Sequence, residues 1–151
     1  MRVFLVLTLG LALGACGSGT SPLTNDDFAA ELNVDLNAMT LTASGLYYQD
    51  IQVGAGTEGA AGDSATVHYE GFLRNGTKFD SSRDRNEPFT FRLGVGDVIP
   101  GFDQAVFGMR EGGVRKVVMP PNLAYGQSGA PPIIPPNSTL VFDIELLSVT
   151  Q

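Results

Sequence analysis

The chain of 151 residues has no tryptophan, a single cysteine and a single histidine. Each scarcity closes off a kind of chemistry. His68 stands inside a run of alternating residues, and no second histidine or cysteine lies near it. A structural zinc site gathers about four such ligands, so no metal is expected. Nothing calls for another cofactor, and His68 reads as a packing or hydrogen-bonding residue. Cys16 precedes the stretch that reads as folded, which leaves that stretch to fold without internal disulfides. No nucleophile elbow, EF-hand spacing or Walker pattern is present. Basic residues are absent between positions 17 and 66, where Asp26, Asp27, Glu31, Asp35, Asp50, Glu58 and Asp63 supply only acid. The other nine of the 16 acids and eight of the nine bases fall in residues 67–151, so that part is close to neutral. With an acidic arm and no basic stripe, nucleic acid and anionic lipid surfaces are not expected as direct ligands. Long apolar runs are missing too. Val3–Leu13 falls short of the about 20 residues that a membrane-spanning helix requires.

What that run does carry is a processing signal. Arg2 precedes it, and the small residues Gly14 and Ala15 separate it from Cys16. Leu13-Gly14-Ala15-Cys16 resembles a bacterial lipoprotein box, in which the cysteine becomes the lipid-bearing first residue of the mature chain. The resemblance implies a signal peptide over residues 1–15, lipidation of Cys16, and a lipid anchor in the cell envelope, periplasmic or outer-membrane. Gly17, rather than aspartate, resembles an outer-membrane sorting pattern. The alternative is an ordinary signal peptide ahead of a free cysteine. Residues 16–42 read as an acidic flexible tether. Gly17–Asn25 is rich in Gly, Ser, Thr and Pro. Phe28, Leu32 and Leu36 then recur at spacing four, the mark of a short helix that Asn25 or Asp26 would cap. That arm is too short to dimerise the chain by itself, and a monomer is expected.

Residues 43–151 read as one domain. Leu46–Val53 reads as a strand, and Gly54–Asp63, with glycines at 54, 56, 59 and 62, as a loop. Ser64–Leu73 and Thr77–Ser81 flank Asn75-Gly76, the strongest short-range hairpin signal in the chain. Phe89–Leu93 alternates as a further strand. Over Pro100–Met109, Phe102, Val106 and Met109 share a face, which predicts one helix before Gly112-Gly113. Val114–Met119 alternates but puts Arg115 and Lys116 side by side. Leu123–Asn137 is long for a loop in a compact domain, a length typical of functional loops. Within it, Ile133 and Ile134 sit between prolines as apolar residues on a stiff frame. In Leu140–Leu147, Leu140, Phe142, Ile144 and Leu146 define one face. Val141, Asp143, Glu145 and Leu147 define the other, which its acids mark as solvent-facing. Strands around one helix give an α+β domain, an antiparallel sheet with the helix on its concave side.

Tyr69, Phe79, Phe89, Val98, Ile99 and Phe102 are too many for a hairpin to bury alone. They call for a shared core or an apolar cleft, whereas Phe91 and Val106 read as core. Asp80 and Asp84, at the hairpin end, read as turn caps ahead of an acid–base pair. In unbroken order from Ala43 to Val149, the segments VHYEGFLRNGTKFDSSRDRNEPFTFRLG, DVIPGFDQAVFGMREGG, LAYGQSG, IIPP and TLVFDIELL closely resemble the FK506-binding-protein (FKBP) family of peptidyl-prolyl cis-trans isomerases. The resemblance implies a five-stranded antiparallel sheet wrapped around one short helix, within a domain at residues 43–151. It implies Tyr69, Phe79, Asp80, Phe102, Tyr125 and Phe142 as catalytic residues, with Arg85, Phe89, Val98, Ile99 and Ile134 binding substrate. It also implies a peptidyl-prolyl isomerase that assists folding of exported proteins, with X–Pro segments as partners and macrolides as inhibitors. Two positions depart from the family pattern. Phe102 stands where tryptophan is typical, and Ala130 with Pro131-Pro132 stands where His and Pro-Gly are usual. The alternative is a non-catalytic chaperone module that binds prolyl or apolar peptide segments.

Overall fold

The computed structural model describes residues 22–151. Its strands are β1 (Thr40–Leu41), β2 (Tyr47–Gln52), β3 (Ser64–Leu73), β4 (Lys78–Ser81), β5 (Phe89–Arg92), β6 (Val114–Met119) and β7 (Leu140–Thr150), with one helix, α1 (Pro100–Val106). All strand pairs are antiparallel, in the order β1-β2-β6-β7-β3-β4, and β5 also pairs with β3. The short β4 and β5 pair with successive stretches of β3. Counted as one interrupted strand, they complete the five expected, and β1 is an addition from the arm.

Alternation decides which side each residue faces. Along β3, Ala65, Val67, Tyr69, Gly71 and Leu73 point to the concave side, opposite Val149, Leu146, Ile144, Phe142 and Leu140 of β7. These β7 residues are buried, and with Val117 and Met119 of β6 they form the main core beneath α1. A bulge opposite the Thr66–Val67 step leaves Leu147 outside and returns Val149 to the core. The adjacent Arg115 and Lys116 go to opposite faces. Lys116 pairs with Asp143 at 2.7 Å on the convex side. Arg115 turns inward, donates from Nη1 to the Ala105 carbonyl at 2.9 Å, and binds both Asp50 oxygens through Nε and Nη2.

The helix is shorter than the sequence predicts. It ends at Val106, because the backbone leaves the helix at Phe107 and Gly108 turns at positive φ. Phe102, Ala105, Val106 and Met109 are nevertheless all buried, so the predicted apolar face survives without the last turn. Close approach of helix to sheet depends on Gly101, where a Cβ would lie 2.4 Å from the Met119 side chain.

The arm also differs from expectation. From Thr24 onward it is packed, not loose, and it forms two 3-10 turns, Asn25–Asp27 and Ala30–Leu32, in place of an α-helix. Asn33, at φ 50°, reverses the chain after the second turn. Asn25 does not cap a helix. Its side chain accepts the Leu36 N–H at 2.8 Å and donates to Asp35 at 3.0 Å. Phe28, Leu32 and Met39 form a second core with Val118 and Val141 on the convex face, flanked by Leu36, Tyr47 and Phe72. The face of β7 assigned to solvent is therefore covered at Val141, where the arm crosses it. Cys16 and the signal segment lie outside the described residues.

Candidate active site

One cavity of about 320 Å³ opens on the concave side between α1, the sheet and the loops. Its lining comes from seven parts of the chain. β3 gives Tyr69, β4 gives Phe79 and Asp80, and β5 gives Phe89. The turn before α1 gives Asp97, Val98 and Ile99, α1 gives Phe102, the long loop gives Tyr125, and β7 gives Phe142. Phe79 and Asp80 are consecutive, yet both line the cavity. The pairing explains this: Gly71 opposes Asp80 and Phe72 opposes Lys78, so Phe79 is an extra residue in a bulge that breaks the alternation.

The ring of Phe102 forms the floor. It meets Tyr69 at 5.4 Å, Phe142 at 5.5 Å and Phe91 at 5.5 Å, edge to face in each case. Phe79 meets Phe142 at 5.6 Å and 89°. Edge-to-face packing suits the ring quadrupoles, and this mesh fixes the orientation of the walls. Phe91 stands behind the wall, stacked on Phe89 at 5.6 Å. It and Val106 are core.

One polar cluster centres on Asp80. The Tyr69 hydroxyl donates to Asp80 at 2.5 Å. Arg85 pairs with Asp80, donates to the Tyr69 oxygen at 3.2 Å, and lies over the Tyr69 ring. Partial burial pushes the Asp80 carboxyl up, but the hydrogen bonds from Tyr69 and Arg85 outweigh it and hold the group below its ordinary 3.8. Burial, and then the bond to Asp80, push the Tyr69 hydroxyl above its ordinary 10.0. The backbone of Tyr69 is clamped as well. Its N–H donates to the hydroxyl of the fully buried Ser82 at 2.8 Å, and its carbonyl accepts the Ser82 N–H at 3.0 Å. His68 Nδ1 shares that hydroxyl at 2.9 Å, which gives the lone histidine its place. Asp84 belongs to a separate pair with Lys78.

Nine of the eleven expected pocket residues thus line one cavity. Arg85 is exposed and acts on the cavity through Asp80 and Tyr69. Ile134 is not on the wall. It is 4% exposed in the main core, where the Ala130–Ile134 bridge holds the loop over it. Its neighbour Ile133 faces solvent. Asp97 lines the cavity and was not foreseen. Its carboxylate accepts the Arg92 N–H at 3.1 Å, and the only sequence signal is an acid directly before Val98-Ile99. Among the described residues, no hydrogen bond is found to the Tyr125 hydroxyl or the Ile99 N–H.

Residues 56–147 match the family model described as FKBP-type peptidyl-prolyl cis-trans isomerase. An FK506-binding protein of Neisseria meningitidis serogroup B is 53% identical over 107 residues, 71% of this chain and 98% of that protein. The peptidyl-prolyl cis-trans isomerase Fkbp12 of Drosophila melanogaster is 56% identical over 88 residues, 58% of this chain and 82% of its own. Among solved structures, FkpA from Escherichia coli superposes with a TM-score of 0.70 at 45% identity, over 75% of this chain and 52% of FkpA. AtFKBP13 superposes with a TM-score of 0.70 at 44% identity, over 73% of this chain and 97% of that one. With the family model matched over residues 56–147 and the fold shared with these solved structures, the chain belongs to the FKBP-type peptidyl-prolyl cis-trans isomerase family.

Proposed function

We propose that this chain catalyses cis–trans isomerisation of X–Pro bonds in exported proteins by stabilising a twisted amide in the cavity above Phe102. The observation that carries the proposal is a cavity with aromatic walls and floor, lined also by an Asp80 carboxylate that the Tyr69 hydroxyl holds in place. An amide is planar because its C–N bond has partial double-bond character, and rotation costs about 18–20 kcal/mol. The two X–Pro forms differ by only about 0.5–1 kcal/mol, yet exchange takes tens to hundreds of seconds. Only a rotational barrier has to fall, so no nucleophile, proton transfer or cofactor is required. Twisting breaks conjugation and reduces charge separation in the amide. An apolar surround therefore favours the twisted form over the planar one, and that difference, not binding as such, produces rate.

In this reading the prolyl ring rests on Phe102, enclosed by Tyr69, Phe89, Val98, Ile99 and Phe142. The Ile99 N–H and the Tyr125 hydroxyl, both without partners among the described residues, hold substrate carbonyls. Phe79 and Asp80 line the path of the rotating carbonyl, with Asp80 kept ionised and fixed by Tyr69 and Arg85. Macrolides of the kind that the FK506-binding relatives are named for would compete for the same cavity. A protease-coupled assay on short X–Pro peptides tests the reading. A rate above background, abolished by such a macrolide, is expected. A background rate with retained peptide binding would point to a non-catalytic binding module. The chain is further proposed to be a monomer in the cell envelope, anchored by lipid on Cys16. Cys16→Ser should release it from the membrane fraction, and retention there would refute the anchor.

A further inference from the structure

Gly71 lies on the concave face of β3, between Phe142 of β7 and Asp80 of β4. It is buried, and its backbone is not in the left-handed region, so conformation does not demand glycine here. Space does. A Cβ at this position would lie 2.6 Å from Phe79 Cζ, 2.8 Å from Phe142 Cε1 and 2.9 Å from Phe79 Cε2. Carbon atoms pack best at about 3.5–4.0 Å, so even a methyl group collides with both rings. The tip of Phe79 and the edge of Phe142 thus sit on bare backbone, in the room a side chain would take. Phe79 depends on this seat more than most strand residues. It is the unpaired residue of the bulge, and no rung of the ladder fixes it. Phe142 is itself held edge to face by Phe102 at 5.5 Å, which limits its retreat.

We infer that Gly71 is a positioning residue of the catalytic cavity: by having no side chain, it sets how deeply the Phe79 and Phe142 rings withdraw and so how much room remains for the rotating X–Pro carbonyl. The inference rests on the isomerase reading above. Any side chain at position 71 lifts the Phe79 ring into the cavity that it lines. Asp80, the next residue along the bulge, then shifts relative to the Tyr69 hydroxyl.

The test is a cycle of Gly71→Ala, Phe79→Leu and the double variant, each measured by peptide isomerisation, thermal unfolding and aromatic NMR. Gly71→Ala should lower kcat by roughly tenfold to a hundredfold, as displacement of a reacting group by about 1 Å does, with the Phe79 and Phe142 ring signals shifted. Leucine lacks the Cζ and Cε2 atoms that the new methyl would strike. The contact with Phe142 Cε1 remains, so the double variant should lose clearly less rate relative to Phe79→Leu than Gly71→Ala loses relative to wild type, the non-additivity expected of residues in contact. If Gly71→Ala does not fold, the comparison of the double variant with Phe79→Leu still decides the matter. A folded Gly71→Ala at the wild-type rate, or a full additional loss in the double variant, overturns the inference. A wild-type rate at background removes the isomerase reading instead. The seating of the rings is then judged by NMR alone, and unmoved Phe79 and Phe142 signals in Gly71→Ala overturn it.

Discussion

Replacing Leu32 with alanine asks whether the arm is part of the fold or an appendage to it. Leu32 is 4% exposed, and it packs with Phe28 and Met39 over Val118 and Val141, both fully buried on the convex face. Leu→Ala in a buried site costs about 2–5 kcal/mol, the spread reflecting how far the site can collapse. The second core is one layer deep and bounded by short 3-10 turns that can settle inward, which places Leu32→Ala near the low end, about 2–3 kcal/mol. For a chain of this size, each kcal/mol moves the midpoint by roughly 4 °C, so a fall of about 8–12 °C is expected. The assay is thermal unfolding followed both by far-ultraviolet circular dichroism and by tyrosine fluorescence, with coincident transitions as the check on two-state behaviour. Leu32 lies on the face opposite the cavity, so the isomerisation rate at 25 °C should stay at the wild-type value. A fall of less than about 2 °C, the size of a surface substitution's effect, would show that the arm undocks independently of the domain and would refute its membership of the cooperative unit.

Two further outcomes follow from the cavity. Tyr125→Phe removes one neutral positioning hydrogen bond, worth about 0.5–1.5 kcal/mol, whereas Phe79→Ser places a hydroxyl on an apolar wall. Phe79→Ser should therefore lose more isomerisation rate, and the reverse order would refute the placement of the rotating carbonyl beside Phe79. Asp80 titrates below its ordinary 3.8 in the folded chain, so the stability it lends is present above about pH 4, the unfolded value, and is lost as pH falls through the folded value. A carboxyl NMR titration should give a midpoint below 3.8 that rises in Arg85→Ala; a wild-type midpoint at or above 3.8 would remove Arg85 and Tyr69 as its supports.

Where side chains follow a simple period, the sequence was enough. The inward set of β7, the Asn75-Gly76 hairpin and the buried face of α1 were all legible from alternation or helical spacing. Legibility stopped where the backbone departs from the period. Phe79 and Asp80 sit next to each other and both enter the cavity, which only a bulge allows and no composition rule announces. Phe28, Leu32 and Leu36 have helical spacing, but two tight turns and the reversal at Asn33 bring them to one face equally well. Arg115 and Lys116 looked like a flaw in a strand until the two faces were seen to need different cations. Asp97 went unread, and Ile134 was expected on the wall, for a related reason: loop residues carry no period, so which one reaches the wall is decided by packing over distance.

Arg115 has a wider bearing. The helix that carries Phe102 has seven residues, about two turns, far below the length at which a helix persists alone. Its trailing end is gripped by a guanidinium rooted in β6, and that guanidinium is steered in turn by Asp50 on β2. The floor of the cavity is therefore bolted to strands that give no residue to its lining. Loosening the sheet at its β2 border would tilt the Phe102 ring from a distance, and the cleft would change shape before any residue in its lining had been replaced.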